Sequence, residues 1–338
     1  MILLAMLALA ADLPGPWASG EHVDFAVAGA AVHATWSEAG TIRYARIDDN
    51  SPPELVGTGA VVGDGGQMRP EVLVVPRGRP VVVYSTAEGI QVAQRNEGWA
   101  ASRLGGASAP ALFAATARGG TLLVSWIASD GQRSSVYVGT QKPKKEGGNL
   151  SLVDMLYKGG ADGVCMCCKP GIASREKEVV VAFRDAEGNK REIHQFSSRD
   201  TTRWADMGVT TRGGWAPGGC PADGPVVTNT AILVSDGRSG KRRVYAVSGR
   251  DERELPPLDP DAEVLQPRAL PDGSLVAWVE ATPGMNRLVV QDRGGAPTVI
   301  AETATRMEPG DPVVVGDDVW FPWQGERAHV VRIERGGH

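Results

Sequence analysis

Alternating apolar positions recur along this chain as pairs of short runs, each pair broken by a glycine. The first pair is 31–36 (AVHATW) and 42–47 (IRYARI), with Gly40 between them. Six more follow. They are 81–84 and 90–92 around Gly89, 122–126 and 136–138 around Gly131, and 179–183 and 191–194 around Gly188. Then come 231–234 and 243–245 around Gly240, 275–278 and 288–290 around Gly284, and 319–323 and 329–331 around Gly325. A period of two marks a strand, and a glycine between two such runs marks a hairpin turn. The glycines step by 49, 42, 57, 52, 44 and 41 residues, which is a hairpin plus chain for two further strands. That is the size of one β-propeller blade.

A second marker keeps step with the first. Pro70, Pro110, Pro170, Pro221 (with Pro225), Pro267 and Pro312 each open a short apolar run before a hairpin. Proline is tolerated at a strand's first residue, where its missing N–H breaks no ladder bond. These runs are expected to be the innermost strands, around a central channel. The fold class read from this pattern is all-β, a β-propeller of seven four-stranded blades. A six-bladed, sialidase-like ring is the alternative if one hairpin is an elaboration. A pair of β-sandwiches gives no reason for proline and glycine to recur together. Residues 12–20, with Trp17, are expected to supply the outer strand of the last blade. Residues 141–165 form the longest insertion, and Leu150, Leu152, Met155 and Leu156 are spaced for a short helix over the rim.

Composition agrees with this picture. Among 338 residues there are 43 glycines and 23 prolines, too much punctuation for a helical bundle. Charges of both signs are interspersed and sum to −5, so no basic face for nucleic acid stands out. No apolar run reaches the length of a membrane span. Residues 1–11 (MILLAMLALAA) match the apolar stretch of a signal peptide, with Ala8 and Ala10 in the small-x-small cleavage pattern. The alternative is a buried first element. The expectation is a signal peptide over 1–11, a single propeller domain over 12–338, and a monomeric periplasmic or secreted protein.

The sharpest chemical signal is sulfur. All four cysteines are Cys165, Cys167, Cys168 and Cys220. The cluster ends two residues before Pro170 and Cys220 directly precedes Pro221, equivalent places in adjacent blades. Innermost strands of neighbouring blades run side by side, so the two segments are expected to meet at the channel mouth. Two chemistries fit. In an oxidising compartment the cysteines pair as disulfides, by one of three connectivities. Alternatively the thiolates hold a soft metal ion, Cu(I) or Zn(II). Met68 and Met307 stand two residues before Pro70 and Pro309, and Met166 lies inside the cluster. Thioether beside thiolate favours Cu(I) over zinc. The candidate metal ligands are therefore Cys165, Cys167, Cys168, Cys220, Met68 and Met307, with copper(I) as the only cofactor and a metal donor or acceptor protein as partner. No Ser/His/Asp order marks a catalytic site, and His33, His194 and His329 fall on hairpin strands. The pairs Arg184-Asp185 and Arg191-Glu192 flank one hairpin turn and read as ion pairs at a blade edge.

The stretch Cys165-Met166-Cys167-Cys168-Lys169-Pro170, then 180–185 (VVAFRD), 191–193 (REI) and 219–221 (GCP), resembles a group of exported bacterial sialidase-like (BNR-repeat) β-propeller proteins. The resemblance covers roughly residues 160–226. It implies an exo-sialidase with Asp-box turns, an arginine triad and a tyrosine nucleophile. Here 197–204 (SSRDTTRW) displaces the Asp of such a box by one position, no spacing marks an arginine clamp, and Tyr44, Tyr137 and Tyr245 fall on packing strands. Three functions therefore stand side by side: non-enzymatic metal handling, a sialidase-like glycoside hydrolase, and a disulfide-stapled scaffold that binds protein or glycan.

Overall fold

The structure, a computed structural model, describes residues 11–49, 51–62, 68–76, 78–105, 110–141, 152–160, 163–218, 223–293 and 295–334. Seven antiparallel sheets follow one another, six of four strands and one of five. The blades span 21–58, 71–103, 113–158, 171–209, 226–254, 263–303 and 308–334, the last joined by 11–12. This is a seven-bladed β-propeller, so the six-bladed alternative falls. Each hairpin read from the sequence is the second and third strand of one blade, as in Arg79–Thr86 paired with Gly89–Arg95.

The continuous apolar runs within the period-two strands have a specific cause. Each blade is sandwiched between two others, so both faces of its strands are buried. Val81 and Val83 pack into the seam with the third blade, while Val82 packs into the seam with the first. In the fourth blade Val179, Val181 and Phe183 face the third, and Val180 and Ala182 face the fifth. Each of the seven seams has its own cluster of buried side chains. At roughly 1.5–3 kcal/mol per buried aliphatic side chain, these seams dominate the favourable side of folding.

The ring closes where the chain begins. Ala11–Asp12 pairs with Ala328–Glu334 as the outermost strand of the seventh blade, and the Leu13 N–H donates to the Val330 carbonyl. Trp17 then fills the seam between blades seven and one with Phe25, Trp36 and Val330. Residues 1–10 of the expected export segment lie outside the described residues, and Ala11 already belongs to this closing strand. No helix among the described residues is long and apolar enough to cross a membrane.

Two sequence expectations need correction. Leu152–Lys158 is a strand, the outer edge of the third blade, not a helix; Leu150 lies outside the described residues. Leu152, Val153 and Met155 are all exposed there, so the alternation that identifies a buried strand is lost. Pro267 does not open its strand. It sits inside Glu263–Ala269, where the ladder slips register between Leu265 and Arg268, a bulge that spares a missing N–H. Pro70, Pro170, Pro225 and Pro312 do stand immediately before innermost strands. Those strands line the central channel, a cavity of about 620 Å³ to which all seven blades contribute.

Candidate metal centre

Cys165 to Cys168 form a turn on the way into Gly171–Ser174, the innermost strand of the fourth blade. The turn is clipped to the end of the neighbouring strand Val179–Arg184. Val164 forms a β-bridge with Asp185, and the Cys165 N–H donates to the Arg184 carbonyl at 3.0 Å. The Cys168 N–H donates back to the Cys165 carbonyl at 3.4 Å. The tight turn forces the side chains together: the three sulfurs lie within 4.8 Å of one another. Cys165 is central, its Sγ 3.3 Å from that of Cys167 and 3.4 Å from that of Cys168. Cys165 and Cys168 are buried free thiols, whereas half-buried Cys167 is in a disulfide.

Cys220 lies outside the described residues. The residues after it do meet the cluster's segment. Asp223 donates its backbone N–H to Cys168. Gly224 packs so closely on Lys169 that a Cβ there would stand 2.0 Å from the Lys169 carbonyl oxygen. The segments entering blades four and five are thus in contact at the channel mouth.

The electrostatics separate the two thiols. The hydrogen bond from Cys168 brings the Cys165 thiol down to about 6, with help from the Cys167 N–H and the Arg184 and Arg191 guanidiniums, against the opposing effect of burial. Burial pushes the Cys168 thiol well above its ordinary value, and donating to Cys165 raises it further. A proton shared between them therefore resides on Cys168, and Cys165 is the thiolate.

Arg184 is not at an exposed edge and is not ion-paired there, contrary to the sequence reading. It is fully buried. Its guanidinium donates to the carbonyls of Asp223, Arg191 and Ser235 and lies over the Trp215 ring at 5.4 Å. Among the described residues no carboxylate lies within ion-pair distance of it. A buried cation held only by neutral dipoles favours an anion nearby, and the Cys165 sulfur is that anion.

The methionines divide. Met307 is 3% exposed and packs with Phe321, Trp323 and Leu270 between blades six and seven, so it is core and no part of the sulfur cluster. Met68 is half-buried in a turn ahead of the second blade, two blades before the cysteines, which lead into the fourth. The sulfur that faces solvent at the cluster is Met166, 48% exposed. His194 is held by Asp206 at 2.6 Å and stacks on Phe183 and Phe196, a packing role. In the stretch 197–204, Asp200 accepts the Thr202 and Arg203 N–H groups and so closes a turn.

Sequence reasoning missed a ring of charge at the same channel. Lys169 pairs with Glu71 at 2.9 Å, Arg69 and Arg268 both reach Asp311, and Arg242 pairs with Asp223 at 2.8 Å. Asp24 has no ion pair among the described residues. Burial pushes its carboxyl up to about 7; Arg69 opposes this, while Asp311 and Glu71 add to it.

No family model matches the chain, and no curated protein does. Solved structures match at the level of fold. One is a catalytically inactive virginiamycin B lyase from Staphylococcus aureus with quinupristin: 13% identity, TM-score 0.59, covering 96% of this chain and 98% of that one. Another is a puromycin-hydrolyzing peptidase from Mycobacterium tuberculosis: 13% identity, TM-score 0.55, covering 97% of this chain and 55% of that one. An acylaminoacyl peptidase gives 11% identity and TM-score 0.54. At such identities the likeness carries the propeller fold alone.

Proposed function

We propose that this chain is an exported, non-enzymatic propeller that holds Cu(I) on the thiolates of Cys165 and Cys168 and exchanges it with a donor or acceptor protein. The observation that supports this most is the pair of buried, unjoined thiols 3.4 Å apart. Two or three thiolates hold Cu(I) in linear or trigonal geometry, so metal–sulfur bonds of about 2.3 Å put sulfurs ~4.0–4.6 Å apart and the pair has to open by ~0.6–1.2 Å. Charge also favours a monovalent ion. Cu(I) with two thiolates carries −1, which Arg184, without an ion pair among the described residues, offsets inside the protein. Reduction of the disulfide would add Cys167 as a further thiolate. Met166 is the exposed thioether at the entrance, a soft handhold for the ion in transit.

Anaerobic titration of the reduced protein with Cu(I), against bathocuproine disulfonate as competitor, tests the reading. One copper per chain should be retained, and Cys165→Ser or Cys168→Ser should release it with unchanged circular dichroism. Copper retained equally by both variants, or none retained by the parent chain, contradicts the proposal. The disulfide at Cys167 favours a second reading, a stapled scaffold that binds through its blade loops. That reading predicts no copper in the same titration.

A further inference from the structure

The central channel holds a carboxylate that the described residues leave partly unpartnered. Asp24 lies on the innermost strand of the first blade, beside a slip of register between Glu21 and Asp24. The residue is 6% exposed. Its Oδ2 accepts the Val72 N–H at 2.8 Å, and among the described residues no donor reaches its other oxygen. Asp24 is among the residues that line the channel cavity.

The surroundings specify what would fill the space. The charged groups that bear on Asp24 are one guanidinium, Arg69, and two carboxylates, Asp311 and Glu71. Arg69 is already committed to Asp311 and to the Pro309 carbonyl. The lining carries five carboxylates (Asp24, Glu71, Asp223, Asp272 and Asp311); against them stand Lys169 and Arg268 in the lining and Arg69 and Arg242 paired with Asp311 and Asp223, which leaves an excess of one negative charge. The field therefore favours a cation. A bare metal ion does not suit it. Among the described residues the only group of metal-ligating side chains drawn close enough together is the cysteine cluster, so the ring supplies no oxygen cage. A guanidinium does not suit it either, because it pairs best with both oxygens of a carboxylate and one is taken by Val72. An ammonium needs one. Beyond the charged ring the wall is apolar, with Val27, Leu73, Ala115, Ile172, Val226 and Val313. A cavity of about 620 Å³ falls within the range of roughly 300–1,000 Å³ usual for small-molecule sites.

We infer that the central channel binds a small organic amine, its ammonium group against Asp24 and its apolar body among the innermost strands. Desolvation is then offset: the buried carboxylate gains the cationic partner that the described residues do not supply. The channel borders the cysteine turn through Lys169 and Asp223, but Asp24 is no part of that turn and the inference does not depend on copper.

Calorimetric titration of the full chain with benzylamine, benzyl alcohol and benzoate at pH 8 tests the inference. Benzylamine should saturate one site, with the alcohol and the acid at least tenfold weaker. Asp24→Asn should cost benzylamine at least tenfold. This variant keeps a carbonyl oxygen for the Val72 N–H, and its melting temperature checks folding independently. Equal binding of the amine and the alcohol, an unchanged benzylamine affinity in Asp24→Asn, or no saturable amine binding by the parent chain would overturn the proposal.

Discussion

Single residues carry this molecule's chemistry where the repeat is broken. Arg184 and Asp24 are opposite cases of a buried charge. Arg184 sits among carbonyl dipoles and lends its field to two thiols. Asp24 holds one backbone N–H and is otherwise desolvated, so its carboxyl is pushed up to about 7 from an ordinary 3.8. Folding therefore favours the protonated form. Its stabilising share is fully present below pH 3.8 and is lost as pH rises through about 7. At about 1.4 kcal/mol per pKa unit the penalty above neutrality reaches up to roughly 4 kcal/mol. Asp24→Asn should match the parent chain in urea denaturation near pH 4 and exceed it in stability at pH 8. An advantage for the variant that is constant across this range would mean that Asp24 is not desolvated. Neither residue was legible as special in the sequence. Arg184 stands beside an acid in a strand-turn-strand pattern that usually means a surface ion pair. Asp24, Glu71, Lys169 and Asp311 sit far apart in sequence, and each alone looks like an ordinary solvated charge. Only closure of the ring gathers them.

The strands and turns were much more legible, because the blade repeat writes the same packing constraint seven times. Consecutive valines such as Val179, Val180 and Val181 declare a strand buried on both faces. The outer strands declare little: Leu152–Lys158 and Ala205–Val209 have no buried position and are mostly exposed, and their sequences follow no clear period. That is why the first of them reads as a helix. Closure was legible through Trp17, an isolated aromatic after the apolar segment. It meets Phe25 edge-on at 5.2 Å, and Gly15 has no Cβ to displace its ring. Trp17→Ala should cost about 3–5 kcal/mol, as usual for truncating a fully buried large aromatic. Chemical denaturation measures it, and a loss below about 1 kcal/mol would mean that the seam between blades seven and one does not depend on this residue.

At the scale of the whole molecule, the ring turns a one-dimensional repeat into a site. The cysteine turn and the segment around Asp223 are far apart in the chain, yet they touch because they enter adjacent blades on the same side of the channel. The clustering of Cys165, Cys167 and Cys168 could be read from the sequence. Their division into two free thiols and a disulfide sulfur could not, and neither could the loss of Met307 to the core, since both depend on how the turn and the seams pack. The central claim is that this turn presents thiolates to a soft ion. X-ray absorption at the copper edge, on reduced protein loaded with one Cu(I) per chain, tests it most directly. The account predicts a first shell of two to three sulfur atoms at about 2.3 Å, lost in the Cys165→Ser, Cys168→Ser double variant. A first shell of nitrogen or oxygen, or a sulfur shell that survives in that variant, would contradict it.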